Sequence, residues 1–290
     1  MTSLRTAAVA GRFYPERADE LLRGVQSYIS SPDNAVESRA IAAIGCVVPH
    51  AGYIYSGSVA GAVYSQLEIA ASCVILCPNH TGKGHPLAIM VNTTWQTPLG
   101  DVAPDRELGG QLLRRFPLLA EDSAAHRSEH AIEVQLPFLQ VRPRAQHESQ
   151  NTSRRLETKI VPIAIGTSDF DVLSEMGRVL ADVIAERQKN GGERVLMVSS
   201  SDMNHYESDR ITRVKDRMAI DRVLALDARG LWDVVIQEDI SMCGFCPTVV
   251  MLTAAKLLGA KAATLIKYAT SGEVSGNYDS VVGYAGIVVS

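Results

Sequence analysis

Apolar runs of strand length alternate along the chain with stretches in which apolar positions recur at helical spacing. The runs predict strands over Ile41 to Val48, Ser72 to Cys77, Leu87 to Val91, Lys159 to Ile165, Arg194 to Ser199, Ala263 to Tyr268 and Val282 to Val289. The periodic stretches predict helices over Gly57 to Leu67, Asp105 to Phe116, Glu129 to Val141, Asp169 to Gln188, Arg213 to Leu226, Leu231 to Glu238 and Pro247 to Leu258. Asp169 reads as a helix start and Pro143 as the end of the helix before it. Strands and helices in this alternation predict an α/β fold, a single domain over residues 1–290 with a central, largely parallel or mixed sheet flanked by helices. The polar segment PRAQHESQNTSRRLET at about 143–158 has no apolar face and is expected to be an exposed loop of that domain, with His147 solvated.

Composition narrows the function classes. With 46% hydrophobic and 21% charged residues in 290, there is ample material for a core. A net charge of −4, from 28 basic and 32 acidic residues scattered along the chain, offers no basic stripe for a phosphate backbone, so no nucleic acid partner is expected. No apolar run approaches the roughly 18 residues that cross a bilayer, and the apolar stretch near the N-terminus is too short for a signal peptide. The expected setting is cytoplasmic, with no membrane contact. Of five cysteines, Cys46, Cys73 and Cys77 lie within apolar runs, where a thiol packs as a small hydrophobe.

Chemistry concentrates where predicted strands end. Val48 leads into Pro49 and His50, Cys77 into Pro78, Asn79 and His80, and Ser199 into the run SSDMNH that contains Asp202 and His205. In an open α/β sheet the carboxyl ends of strands line the crevice that binds ligands. A single loop histidine is most simply one that hydrogen-bonds the backbone. Three strand ends sharing the feature point instead to a site in which imidazoles meet, as metal binding requires. The segment SMCGFCPTVV adds Cys243 and Cys246 around a turn before a predicted helix, whose positive N-terminus is expected to lower a thiol pKa. Cys243 is the preferred fourth member; a thioredoxin-like redox pair is the competing reading, although that motif usually follows the first strand of a small fold. His130 has two readings, pointing to the pocket from its helix or sharing with Glu129 a helix-capping or buried structural role; Tyr53 and Tyr55 either bring phenolic hydroxyls near the pocket or pack as aromatics, and Gly52 and Gly57 permit the tight strand-to-helix path. YATSGEVSGNY suits a loop that closes over a pocket but lacks a dinucleotide fingerprint, so no nucleotide cofactor is expected.

The blocks AAVAGRFYP, VPHAGYIYSG, LCPNHTG, EHAIEVQLPFLQ, IVPIAIG, SSSDMNHY, MCGFCP and YATSGEVSG, in that order, resemble the Memo-like family, the B component of the AmmeMemoRadiSam system. That resemblance covers nearly the whole chain. It implies a fold similar to class III extradiol dioxygenases, non-haem iron enzymes that open catechol rings with oxygen. It also implies metal ligation by His50, His80 and Cys243, with Asp202 and His205 as catalytic groups in the same pocket. Those dioxygenases hold iron with two histidines and a carboxylate. A thiolate in place of the carboxylate softens the site, so copper is expected as well as iron(II), and zinc is admissible. Cys246 then has the options of ligating, of a disulfide with Cys243, or of packing. The family resemblance further implies association with a radical-SAM protein and an Amme-type protein, alongside an unknown small-molecule substrate or peptide. Three functions stay open: a metal-dependent oxidoreductase, a non-catalytic binding or effector protein using the same pocket, and a zinc-dependent hydrolase.

Overall fold

The four central parallel strands are buried along essentially their whole length: β2 (Gly45–Val48), β3 (Ser72–Pro78), β8 (Lys159–Ile165) and β9 (Val195–Ser200). Strands covered on both faces read as continuous apolar runs, which is why these were legible. In the computed structural model, which describes residues 3–31, 40–141 and 158–290, they pair in parallel in the order β2, β9, β3, β8. Beyond β8 lies antiparallel β4 (Leu87–Ile89), which carries β7 (Ala120–Glu121) in parallel. Beyond β2 lies antiparallel β12 (Val281–Val289), which also pairs with β11 (Ala263–Thr270) and with short β10 (His205–Glu207). Among the described residues the result is a mixed nine-stranded sheet, as the α/β reading expected. A smaller sheet joins β1 (Ser3–Arg5), β5 (Thr93–Thr97) and β6 (Gly100–Val102). The loop expected at 143–158, His147 included, lies outside the described residues except for Thr158.

Alternation along the strands builds two apolar layers. Val47, Val74 and Leu76 face α3 (Arg106–Arg115), α5 (Phe170–Lys189), α6 (Asp209–Leu224), α7 (Ala228–Gln237) and α8 (Phe245–Leu257). Cys46, Val48, Cys73, Ile75 and Cys77 face α1 (Ala18–Ile29), α2 (Tyr53–Gln66) and α4 (Leu136–Gln140). The three strand cysteines are therefore buried and unbridged, as expected. Among the described residues no helix is long and apolar enough to cross a membrane.

Two helix expectations need correction. The helix expected over Glu129 to Val141 is a turn, a 3-10 segment at Glu133–Gln135, and then α4. The Glu129 carboxylate accepts from the amides of His130 and Ala131, and this local bonding competes with a helical ladder. Helix α2 begins at Tyr53, before Gly57. Gly57 thus lies inside the helix, where a Cβ would sit 2.6 Å from the Tyr28 ring, so it serves the packing of α2 on α1 and not a turn.

Candidate metal centre

The strand order places the carboxyl ends of β2, β9 and β3 side by side, so residues 50, 80 and 201–205 emerge at one rim. His50, His80 and Cys243 offer ligand atoms that all lie within 4.8 Å of one another. His50 Nε2 and Cys243 Sγ are 3.2 Å apart. Nitrogen and sulfur on a tetrahedral ion, at bond lengths of about 2.0 and 2.3 Å, sit about 3.5 Å apart, so this donor pair fits a metal with little movement.

Hydrogen bonds fix which imidazole nitrogen is available. Ser200 Oγ donates its one proton to Ala131 O at 2.6 Å and accepts from Gln135 Nε2 at 2.9 Å. Toward His50 Nδ1, also at 2.9 Å, it can only accept. His50 therefore carries its proton on Nδ1 and turns the Nε2 lone pair to the Cys243 thiol, which donates S–H to it. Gln135 is locked in turn, because its Nε2 also donates to Pro49 O and its Oε1 accepts from Tyr64. On the other side Glu129 Oε1 accepts from His80 Nδ1 at 2.9 Å, and Glu129 Oε2 accepts from the His80 amide at 2.8 Å. Neutral His80 then also presents Nε2. Such partners on the far ring nitrogen set the tautomer and raise the basicity of metal-binding histidines.

Burial, followed by the neighbouring imidazoles of His130, His80 and His205, holds the His50 pKa well below its ordinary value. For His80 burial acts downward, but the hydrogen bond and charge of Glu129 outweigh it and the pKa is raised. For Glu129 burial acts upward, and the His80 hydrogen bond and charge, with the Ala131 amide, outweigh it and lower the pKa. Burial, then the Asp202 carboxylate, pushes the Cys243 thiol up. This reverses the lowering expected from a helix N-terminus. The Gly244 amide that opens α8 donates to Ser201 Oγ and so is spent away from the thiol. Asp202, buried, is pushed up to about 7 by burial, against the hydrogen bond from the His50 amide, which meets its Oδ1 at 2.7 Å.

The remaining expected residues divide. His130 stacks on His80 with ring centroids 4.8 Å apart, meets His50 edge-on at 5.4 Å, and has its pKa lowered to about 4, chiefly by burial. With His80 and Glu129 it forms a second group of possible metal ligands, although the Glu129 oxygens already accept four hydrogen bonds. His205 stands close enough to His50 and His80 for their charges to interact, and its Nδ1 donates to Ser241 O at 2.9 Å. Burial lowers its pKa more than the Ser241 and Met203 carbonyls raise it. Tyr53, expected at the pocket, instead spends its hydroxyl on Val134 O at 2.6 Å inside the core, because α2 starts with it and turns the ring onto Phe138. Cys246 packs in the apolar layer under α8, 7% exposed, and belongs to neither ligand group. The YATSGEVSGNY segment is the end of β11 followed by a short helix, α9 (Gly272–Ser275), before β12.

Ser200, Gln135 and the supporting part of Glu129 were not found from sequence. The only signal was their presence within the SSSD and EHAIEVQ runs. Glu133, in the second of these runs, anchors the N-terminal segment behind the site, since it accepts from Arg5 Nη1 and Tyr14 OH at 2.6 Å each.

The family described as Memo-like protein matches residues 5–288. A MEMO1 family protein of Methanosarcina mazei is 42% identical over 286 residues, covering 99% of this chain and 99% of that protein. One from Methanocaldococcus jannaschii is 38% identical over 302 residues and covers 100% of both chains. One from Aquifex aeolicus is 38% identical over 286 residues, covering 98% of each.

Proposed function

The chain belongs to the Memo-like protein family, and from that premise we propose that it is a metal-dependent protein in which His50, His80 and Cys243 hold one copper or iron(II) ion for redox chemistry on a small molecule. The observation that carries this reading is the paired fixing of the two imidazoles. Ser200 and Glu129 each accept the Nδ1 proton, so both Nε2 lone pairs are left for a shared neighbour, and Cys243 is the third donor. Two imidazoles and a thiolate suit copper(I) and iron(II) better than magnesium or calcium, which take oxygen donors. Such an ion, when bound, would supply electron transfer or Lewis-acid polarisation.

The chain's own groups supply the rest. Asp202, titrating near neutral pH, holds the His50 amide and is the group that takes or returns a proton at its carboxylate. His205, kept on its Nδ1–H form by Ser241 O, offers Nε2 for a second proton position. The mixed sheet is compatible with the extradiol dioxygenase likeness, and the thiolate is where the donor set departs from it. Protein purified without oxygen should carry close to one equivalent of copper or iron. Zinc alone at that stoichiometry would favour hydrolysis, and metal-free protein that binds no added copper or iron would overturn the reading in favour of a binding protein.

A further inference from the structure

Asn204 sits between Met203 and His205, is fully buried, and has every polar group engaged. Its amide donates to Asp216 Oδ1 at 2.8 Å and its carbonyl accepts from Gly283 N at 2.9 Å. Its side-chain nitrogen donates to Glu207 Oε2 at 2.6 Å and to Thr212 Oγ1 at 3.4 Å. Its side-chain oxygen accepts from both the amide and the hydroxyl of Ser241, at 3.0 Å each. Since that hydroxyl proton goes to Asn204, Ser241 Oγ is left as an acceptor, and the His205 amide donates to it at 2.7 Å. The same Ser241 accepts the His205 ring proton at its carbonyl.

The backbone beside this cluster is strained. Tyr206 has φ of +62° and is 77% exposed, and β10 slips register against β12 between His205 and Glu207. A left-handed tyrosine persists only where its surroundings force it, and such residues cluster at functional sites. Asn204 grips both sides of it, through Asp216 and Gly283 before and Glu207 after.

We propose that Asn204 is the positioning residue of His205: acting through Ser241, it fixes the imidazole as the Nδ1–H tautomer at the rim of the metal centre. This rests on the reading of His205 as a proton-handling group, but it is tested without metal. Histidine labelled with 15N is followed by long-range NMR at a pH where the rings are neutral, and His205→Gln identifies the His205 signals. The wild-type protein should show His205 as a single Nδ1–H tautomer. Asn204→Ala, which releases the Ser241 amide and hydroxyl and with them the carbonyl that takes the ring proton, should convert it to a mixture of tautomers. Ser241→Ala, a change at an exposed position that keeps both the amide held by Asn204 and the carbonyl facing the ring, should keep the single form. The His50 and His80 signals should stay at their wild-type positions throughout, a separation that general loosening of the fold would not give. A single Nδ1–H tautomer retained in folded Asn204→Ala, or a mixture of tautomers in Ser241→Ala, overturns the proposal. Copper(I) titration of the wild-type protein is read separately, so failure of the metal reading and failure of this one are distinct outcomes.

Discussion

Glu129 accepts four hydrogen bonds: from the His80 amide and Nδ1, and from the amides of His130 and Ala131. In Glu129→Gln one oxygen becomes a donor that faces donors, so His80 loses its fixed orientation. Copper(I) affinity should fall by about 10- to 100-fold. Anaerobic competition against a chelator measures this, and wild-type affinity would show that His80 needs no such support. Asp216 gives a prediction away from the site. Burial, against hydrogen bonds from Tyr268 and the Asn204 amide, raises its pKa from 3.8 to about 7. A raised folded-state pKa contributes stability that is full below the unfolded value and lost as pH rises through the folded one. Asp216→Asn should therefore gain on the wild type by about 2 kcal/mol between about pH 5 and pH 8 in urea unfolding. A pH-independent difference would contradict the assignment. His50, His80 and Cys243 were legible because a strand end or a helix start marks each of them. Ser200 and Gln135 were not, because their use depends on two segments 65 positions apart meeting.

Helix α2 packs so closely on α1 that a Cβ on Gly61 would lie 2.5 Å from the Tyr28 backbone. Backbone cannot rotate aside as a side chain can, so Gly61→Ala should destabilise by about 1–3 kcal/mol. A Cβ added to Gly24 of α1 would have nothing within 4 Å, and Gly24→Ala should stabilise by about 0.5–1 kcal/mol. Thermal unfolding of the two variants checks the pair, and equal shifts would contradict this packing. The same helices show what sequence patterns carry. Helix α5 was legible because Asp169 accepts from the amides of Asp171 and Val172, a cap written in the sequence. Helix α1 was not among the expected helices although Leu21, Val25 and Ile29 recur at helical spacing, and no capping side chain marks its start at Arg17. At EHAIEVQLPFLQ the apolar spacing was real, but Glu129 took the first amides and Pro137 could not donate, so helix forms only at its end.

Across the whole molecule the site follows from strand order. Placing β9 between β2 and β3 puts His50, His80 and the segment 201–205 on one rim, and α8, packed on the same sheet, delivers Cys243 from its N-terminal approach. Runs and periods identify strands and helices but not their order, so the α/β class was legible while the neighbours of each strand were not. Family likeness implied three candidate ligands, and the geometry adds what holds the two imidazoles: Ser200 and Gln135 behind His50, and Glu129 behind His80. The most direct test of a metal held by His50, His80 and Cys243 is an anaerobic titration of copper(I) and iron(II) into the wild type, Cys243→Ser and Cys246→Ser, each checked for folding. One tight equivalent is expected in the wild type, a loss of at least about 10- to 100-fold in Cys243→Ser, and near wild-type affinity in Cys246→Ser. Undiminished binding in folded Cys243→Ser would contradict Cys243 as a ligand.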